Sequence, residues 1–238
     1  MSPTNAAVYT KPDQHDVTVA PYHITSERSQ LVRVAALRVP YARAKRLLDV
    51  SLSIAAIVVG APLFVLAALL VKLSSPGPVI YKQKRVGLCG RQFTFYKFRS
   101  MFVDADRRLE ELKEHNEASG PVFKMARDPR VTRFGRFIRG FSLDELPQFF
   151  NILKGDMSLV GPRPPLPREV GEYGPWEWER LSVTPGLTCL WQIGGRSDVN
   201  FEEWMRLDHQ YLDNMSFMGD VVIILKTLPA VLRARGAR

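Results

Sequence analysis

"VSLSIAAIVVGAPLFVLAALLV", residues 50–71, is a run of 22 residues without a charge, bounded by Asp49 and Lys72. As an α-helix it would be about 33 Å long, enough to cross a bilayer core of ~30 Å. All of its faces are apolar, which leaves none for water and argues against the core helix of a soluble protein. Gly60-Ala61-Pro62 lies near its middle. A proline there removes a backbone donor and crowds the preceding turn, so a kink is expected. Basic residues flank both ends, with Arg43, Lys45 and Arg46 before it and Lys72, Lys82, Lys84 and Arg85 after it. The tendency of cationic flanks to stay in the cytoplasm acts on both ends alike. A helix bent at Pro62 that leaves by the leaflet it entered satisfies length and charge together. A plain spanning helix satisfies only the length.

Working outward, residues 1–42 are polar and proline-bearing without a sustained period, and read as a flexible arm. The first 30 residues show no apolar core of a secretory signal. The 238-residue chain carries 33 Lys+Arg against 24 Asp+Glu, a net charge of +9, so a polyanionic partner is expected. Nucleic acid, an acidic membrane surface and a nucleotide diphosphate all qualify by charge. A nucleic-acid partner has no use for the apolar run, so none is expected. Cys89 and Cys189 make neither a disulfide framework nor a zinc spacing, and the four histidines sit in no ligand pattern.

Residues 74–238 read as one domain, α/β in class but mostly helical with a small sheet. "PGPVIYKQKRVG" (76–87) and "RQFTFYKFRSM" (91–101) predict two short strands around a turn at 87–90. Helices are expected over 102–117 and 200–215, with 161–200 largely loop. The end, 217–238, has an apolar body ringed by Lys226, Arg233, Arg235 and Arg238, which suits a helix at a membrane surface or one packed on the domain.

The chemistry concentrates in "SLDELPQFFNILKGDMSLVGPRP", residues 142–164. Ser142 and Glu145 fit a capping box, which predicts a helix over 143–154 closed by Gly155. Asp144 is surplus to that box. Consecutive helical residues point about 100° apart, so the two carboxylates can divide two jobs. One can attack phosphorus while the other holds a divalent cation. Arg127, Arg130, Arg133, Arg136 and Arg139 recur every third residue just upstream. The run reads as a solvated or lipid-attracted face, or as the source of a phosphate clamp. Arg139, close before Asp144, and Arg163, held between two prolines, are the candidates for that clamp.

The order "KRLLDVSLSIAAIVVGAPLFVLAALLVKLSSPGPVIYKQKRVG", "FYKFRSM", "RDPRVTRFGRFIRGFSLDELPQFFNILKGDMSLVGPRP" and "VTPGLTCLWQIGGRSD" resembles the bacterial sugar transferases, the monotopic phosphoglycosyl transferases that act on polyprenyl phosphate. "SGPVFKMARDPRVTRFGR" and "GPRPPLPREV" are more similar to the hexose-1-phosphate branch than to the acetamido-sugar branch. The resemblance implies transfer of hexose-1-phosphate from UDP-glucose or UDP-galactose to undecaprenyl phosphate, releasing UMP, as the first membrane step of exopolysaccharide synthesis. A UDP-acetamido donor, or a catalytically silent adaptor of the same fold, is the alternative. It implies Asp144 as nucleophile through a phosphosugar-aspartate, Glu145 as a Mg²⁺ ligand, and Arg139 and Arg163 at phosphate-handling positions. Lys97 and Arg196 fall in the matching "FYKFRSM" and "GGRSD". The family's membrane element is a re-entrant helix broken at Ser-Pro. Here Ala61-Pro62 keeps the proline without the hydroxyl, which places a re-entrant element at 43–73 and a cytosolic catalytic domain with interfacial helices at 74–238. Membrane lipids are implied as partners, with the catalytic domain on the cytoplasmic face of the bacterial inner membrane. No oligomeric state follows.

Overall fold

The computed structural model describes residues 39–194 and 199–232. The arm, apart from its last few residues, and Arg196 therefore lie outside the described residues. The first element, α1 (Val39–Ser74), is a single helix of 36 residues. It begins ahead of the expected boundary at 43, with Pro40 in its first turn, where a missing N–H costs nothing. Pro62 lies inside it and does not interrupt it. The proline deletes one rung of the hydrogen-bond ladder, and the flanking rungs carry the helix past the expected break.

The apolar body of α1 is not part of a protein core. Its most apolar stretch has a mean hydropathy of 2.8 and only 11% of it is buried, with Val58, Val59, Val65 and Leu69 among the exposed side chains. Such a surface is unstable against water and requires an apolar cover.

The rest is mostly helical around two small sheets. β1 (Ile80–Val86) and β2 (Gln92–Phe98) pair antiparallel, Tyr81 opposite Lys97 and Arg85 opposite Phe93, as the sequence predicts. β3 (Ser158–Val160) and β4 (Gly186–Thr188) pair in parallel. Between these lie α2 (Ala105–Leu112), α3 (Arg133–Gly140) and α4 (Gln148–Lys154). The expected loop at 161–200 holds short helices α5 (Pro167–Val170), α6 (Pro175–Trp178) and α7 (Leu190–Gly194) as well as β4. α8 (Phe201–Asp213) and α9 (Phe217–Leu232) close the described chain.

Both ends of α1 are fastened to this domain. Near its start, Arg46 donates to the carbonyls of Ile152 and Leu153 at 2.6 and 2.8 Å, satisfying groups that the C-terminus of α4 leaves open. Lys45 donates to Asp220 at 2.8 Å and to the Val160 carbonyl at 2.9 Å. Asp49 accepts from the Ser158 hydroxyl and the Leu159 amide at 3.0 and 2.9 Å. Near its end, Ala67 and Val71 pack with Phe98 and Ile138, and the Phe64 ring meets those of Phe98 and Phe150 at 6.1 and 6.3 Å. A second cluster, with Phe93, Phe95, Ile152 and Val160, lies under β2 and β3, and a third joins Val86 to Val170, Trp178 and Leu181.

Candidate active site

The expected capping box at Ser142 does not form. Ser142 is left-handed, with φ 55°, and its side chain makes no cap bond; Leu143–Glu145 is a 3₁₀ turn and α4 starts only at Gln148. The reason lies in Glu145, whose side chain is drawn away by two cations. Its Oε1 accepts from Lys97 Nζ at 2.9 Å and from Arg163 Nη1 at 3.3 Å. Charge-assisted bonds of this kind outweigh the kcal/mol or so that a cap supplies. The residues singled out as a helix start instead line a cleft.

Asp144 beside it is treated differently. Its side chain is 7% exposed, yet its only ion-pair contact among the described residues is Lys97 Nζ at 3.6 Å, and it accepts no hydrogen bond there. Burial pushes its carboxyl above the usual aspartate range, Lys97 opposes this, and the Glu145 charge adds to it. Burial also opposes the charge of Glu145, but Lys97 and Arg163 more than offset it and hold that carboxyl down to about 2. The two neighbours thus differ in charge state. Glu145 is a fixed anion, and Asp144 is a buried carboxylate with free lone pairs.

Lys97 is aimed by β2, on the face it shares with Phe93 and Phe95, with its ammonium 5.6 Å from the Phe95 ring centre. Arg163 is aimed by its backbone. The carbonyls of Pro162, Arg163, Pro164 and Pro165 each accept one bond: from Gly186 N, Arg180 Nη2, Arg85 Nη1 and Val86 N, all at 2.9 Å. A Cβ on Gly161 would run into the Thr184 carbonyl, so only glycine lets the loop pass this close to β4. Arg180 is itself locked by Asp208 at 2.6 Å and Tyr173 at 2.9 Å.

Asp144, Glu145, Lys97, Arg163 and Arg139 all line one cleft of about 730 Å³, the size of a small-molecule site. Arg139 is half-buried there and makes no ion pair among the described residues. The arginine ladder divides: Arg127, Arg133 and Arg136 are exposed, whereas Arg130 is buried against Asp128 at 2.6 Å with its guanidinium over Phe123. The cleft also takes in Arg85, Tyr81 and Gln83, which the sequence reading did not assign to a site, and Trp191 and Trp204. β1 alternation carried the signal, because Tyr81, Gln83 and Arg85 point one way and the exposed Lys82 and Lys84 the other. Arg180 and Asp208 left no local signal.

Among the described residues no three acidic, histidine or cysteine side chains gather as a metal cage. Glu145 fits a divalent cation in another way, since its Oε2 is free of hydrogen bonds among those residues. Mg²⁺ is commonly held by one or two carboxylates plus substrate phosphates.

The family model described as "Bacterial sugar transferase" matches residues 40–234. The galactosyl transferase CpsE of Streptococcus agalactiae is 52% identical over 163 residues, 68% of this chain and 36% of that protein. The exopolysaccharide production protein ExoY of Sinorhizobium fredii is 43% identical over 197 residues, 81% of this chain and 87% of that protein. The undecaprenyl-phosphate galactose phosphotransferase of Salmonella typhimurium is 42% identical over 197 residues, 81% of this chain and 41% of that protein. The chain thus spans well under half of two of these relatives and most of the third.

Proposed function

The chain belongs to the bacterial sugar transferase family, and from that premise we propose that it transfers a hexose-1-phosphate from a UDP-sugar to undecaprenyl phosphate, releasing UMP. The observation that carries this reading is Asp144: buried, bonded to nothing but a 3.6 Å ammonium contact among the described residues, and set between Lys97 and Arg139 in a cleft rich in arginine. A carboxylate whose lone pairs are free is a competent nucleophile. An oxygen of Asp144 attacks the β-phosphorus, the bond from that phosphorus to the oxygen bridging the two phosphates breaks, and UMP departs. The phosphosugar remains as an acyl phosphate on Asp144. A phosphate oxygen of undecaprenyl phosphate then attacks the same phosphorus and returns the carboxylate, giving undecaprenyl-diphospho-hexose.

Lys97 and Arg163 face the oxygens on which charge develops, and they are held in place before substrate arrives by Glu145, Phe95 and the locked Gly161–Pro165 backbone. Glu145 would hold Mg²⁺, which would supply further charge neutralisation for the diphosphate. Galactose, named for two of the relatives, is the first hexose to test.

The same reading puts α1 in the inner membrane as a re-entrant element, with the domain on the cytoplasmic face. Its support is the fastening of both ends of α1. Arg46 bonds the Ile152 carbonyl while Phe64 meets Phe150, two residues away on α4. Arg46 ahead of Pro62 and Phe64, Ala67 and Val71 beyond it thus all reach the one domain, as an element that leaves by the leaflet it entered requires.

The test is UMP release by the full chain in detergent from UDP-galactose, UDP-glucose and the UDP-acetamido sugars, with and without undecaprenyl phosphate. Sustained, lipid-dependent release from one hexose donor is expected. Release from acetamido donors alone would move the chain to the other branch, and none from any donor would favour a silent adaptor.

A further inference from the structure

Among the guanidiniums that line the cleft, that of Arg85 is not used by the reaction just described. Arg85 reaches the cleft from the far end of β1, its carbon centre 5.3 Å from the Phe95 ring. Its Nε and Nη1 bond neutral acceptors, Gln83 Oε1 at 3.1 Å and the Pro164 carbonyl at 2.9 Å. Nη2 has no hydrogen bond among the described residues, and no carboxylate there comes within ion-pair distance. The acid that acts on it most, Glu169, spends Oε2 on the Leu166 amide at 2.8 Å. Two more guanidiniums, Arg163 and Arg168, crowd the same wall. Burial first, and these like charges with it, press the Arg85 pKa down to about 10 despite Glu169 and Tyr81. Gathering like charges in a partly dehydrated place is unfavourable unless an anion fills it.

We propose that Arg85, with Arg168 beside it, forms an anion subsite adjoining Arg163 that holds the nucleotide-side phosphate of the donor, the one that leaves with the nucleoside. The proposal rests on the UDP-sugar reading above. The acceptor lipid carries a phosphate too, and position decides between them. Ile80, at one end of β1, packs on the cluster of Ala67 and Val71 from α1, whereas Val86, at the other end, packs on Val170 and Trp178. Arg85 therefore stands about 17 Å along the strand from the membrane helix. With the reacting phosphorus at Asp144, the donor's other phosphate falls toward Arg163, and Arg85 is the next cation.

The experiment measures binding of UMP, uridine and a short-chain prenyl phosphate to the full chain in lipid discs. Wild type is compared with Arg85→Gln, Arg85→Lys and Arg168→Gln. Arg85→Gln should weaken UMP about 10- to 100-fold and leave uridine unchanged, as loss of a charge-assisted bond predicts. Arg85→Lys should recover part of the loss, and Arg168→Gln should lose roughly 3- to 10-fold. Unchanged UMP affinity in Arg85→Gln overturns the proposal. Equal loss of UMP and uridine with a lower Tm also overturns it, leaving Arg85 as a tether for Pro164. Weakening of the prenyl phosphate instead of UMP moves the subsite to the acceptor and overturns the assignment. Should Arg85→Gln not fold, unchanged UMP binding by the exposed Arg168→Gln counts against the paired subsite. A wild type that binds no UMP contradicts the UDP-sugar reading itself. Inorganic pyrophosphate then tests the subsite, and its loss in Arg85→Gln would keep the anion site while its retention would end it.

Discussion

Asp208 and Asp144 are both almost fully buried beside cations, and they are built in opposite ways. Asp208 takes Arg180 Nε and Nη2 at 2.8 and 2.6 Å, and Arg180 spends its remaining donors on Tyr173 and the Arg163 carbonyl. Asp144 has one ammonium at 3.6 Å. Side-chain exposure hardly separates them, at 2% for Asp208 and 7% for Asp144. Pairing does. A buried carboxylate gripped by a guanidinium is neutralised and fixes what is around it, here the backbone of Arg163 through Arg180. A buried carboxylate without such a grip costs the fold something, and that cost is explicable where the carboxylate reacts.

The largest effect that would break this comparison is in Asp144→Asn. UMP release should fall by at least about 10³-fold, as for other lost nucleophiles. Stability should stay level or rise. Burial keeps the folded Asp144 carboxyl protonated to higher pH than in the unfolded chain. Its ionisation therefore opposes folding, increasingly from the ordinary aspartate pKa up to the raised one and fully above it. A marked drop in Tm at neutral pH would make Asp144 a second Asp208. Arg180→Ala should show the reverse pattern, losing about 3–5 kcal/mol of stability because Asp208 is left buried and unpaired, as a thermal melt would report. Next is Arg163→Ala, with roughly 10²-fold slower UMP release and little change in Tm, since its side chain is 23% exposed and its loop is held by backbone bonds.

The smallest effect is in the pH profile. UMP release without lipid should lose rate as pH falls through the raised pKa of Asp144, above the usual carboxylate range. Glu145→Gln should move that acid limb to lower pH, because it removes a neighbouring negative charge. A limb that stays put would mean that Asp144 does not feel Glu145.

The same contrast explains what the sequence disclosed. Asp144, Glu145, Arg163, Lys97 and Arg139 were legible because they stand in compact motifs, and the structure brings all five to one cleft. The strand pair at 80–98 was legible from its alternation and its glycine turn. Ser142 was misread because local rules favour a cap there, whereas Lys97 and Arg163, distant in sequence, outbid the backbone for Glu145. Arg180 and Asp208 were invisible for the same reason. Their pairing spans 28 positions, and neither lies in a motif. Arg85 was visible in principle, through the face it shares with Lys97 once β1 and β2 are in register. The long apolar helix was the plainest feature of all, and it runs on through Pro62 where a break was expected.

The central claim is that Asp144 carries the sugar phosphate between donor and lipid. The most direct measurement is intact-protein and peptide mass spectrometry after mixing the full chain with UDP-galactose and Mg²⁺ without lipid. The account predicts a mass gain of one hexose phosphate on the peptide containing Asp144, with a matching burst of UMP, discharged on adding undecaprenyl phosphate and absent in Asp144→Asn. UMP that appears only with lipid, with no adduct at any stage, would contradict it.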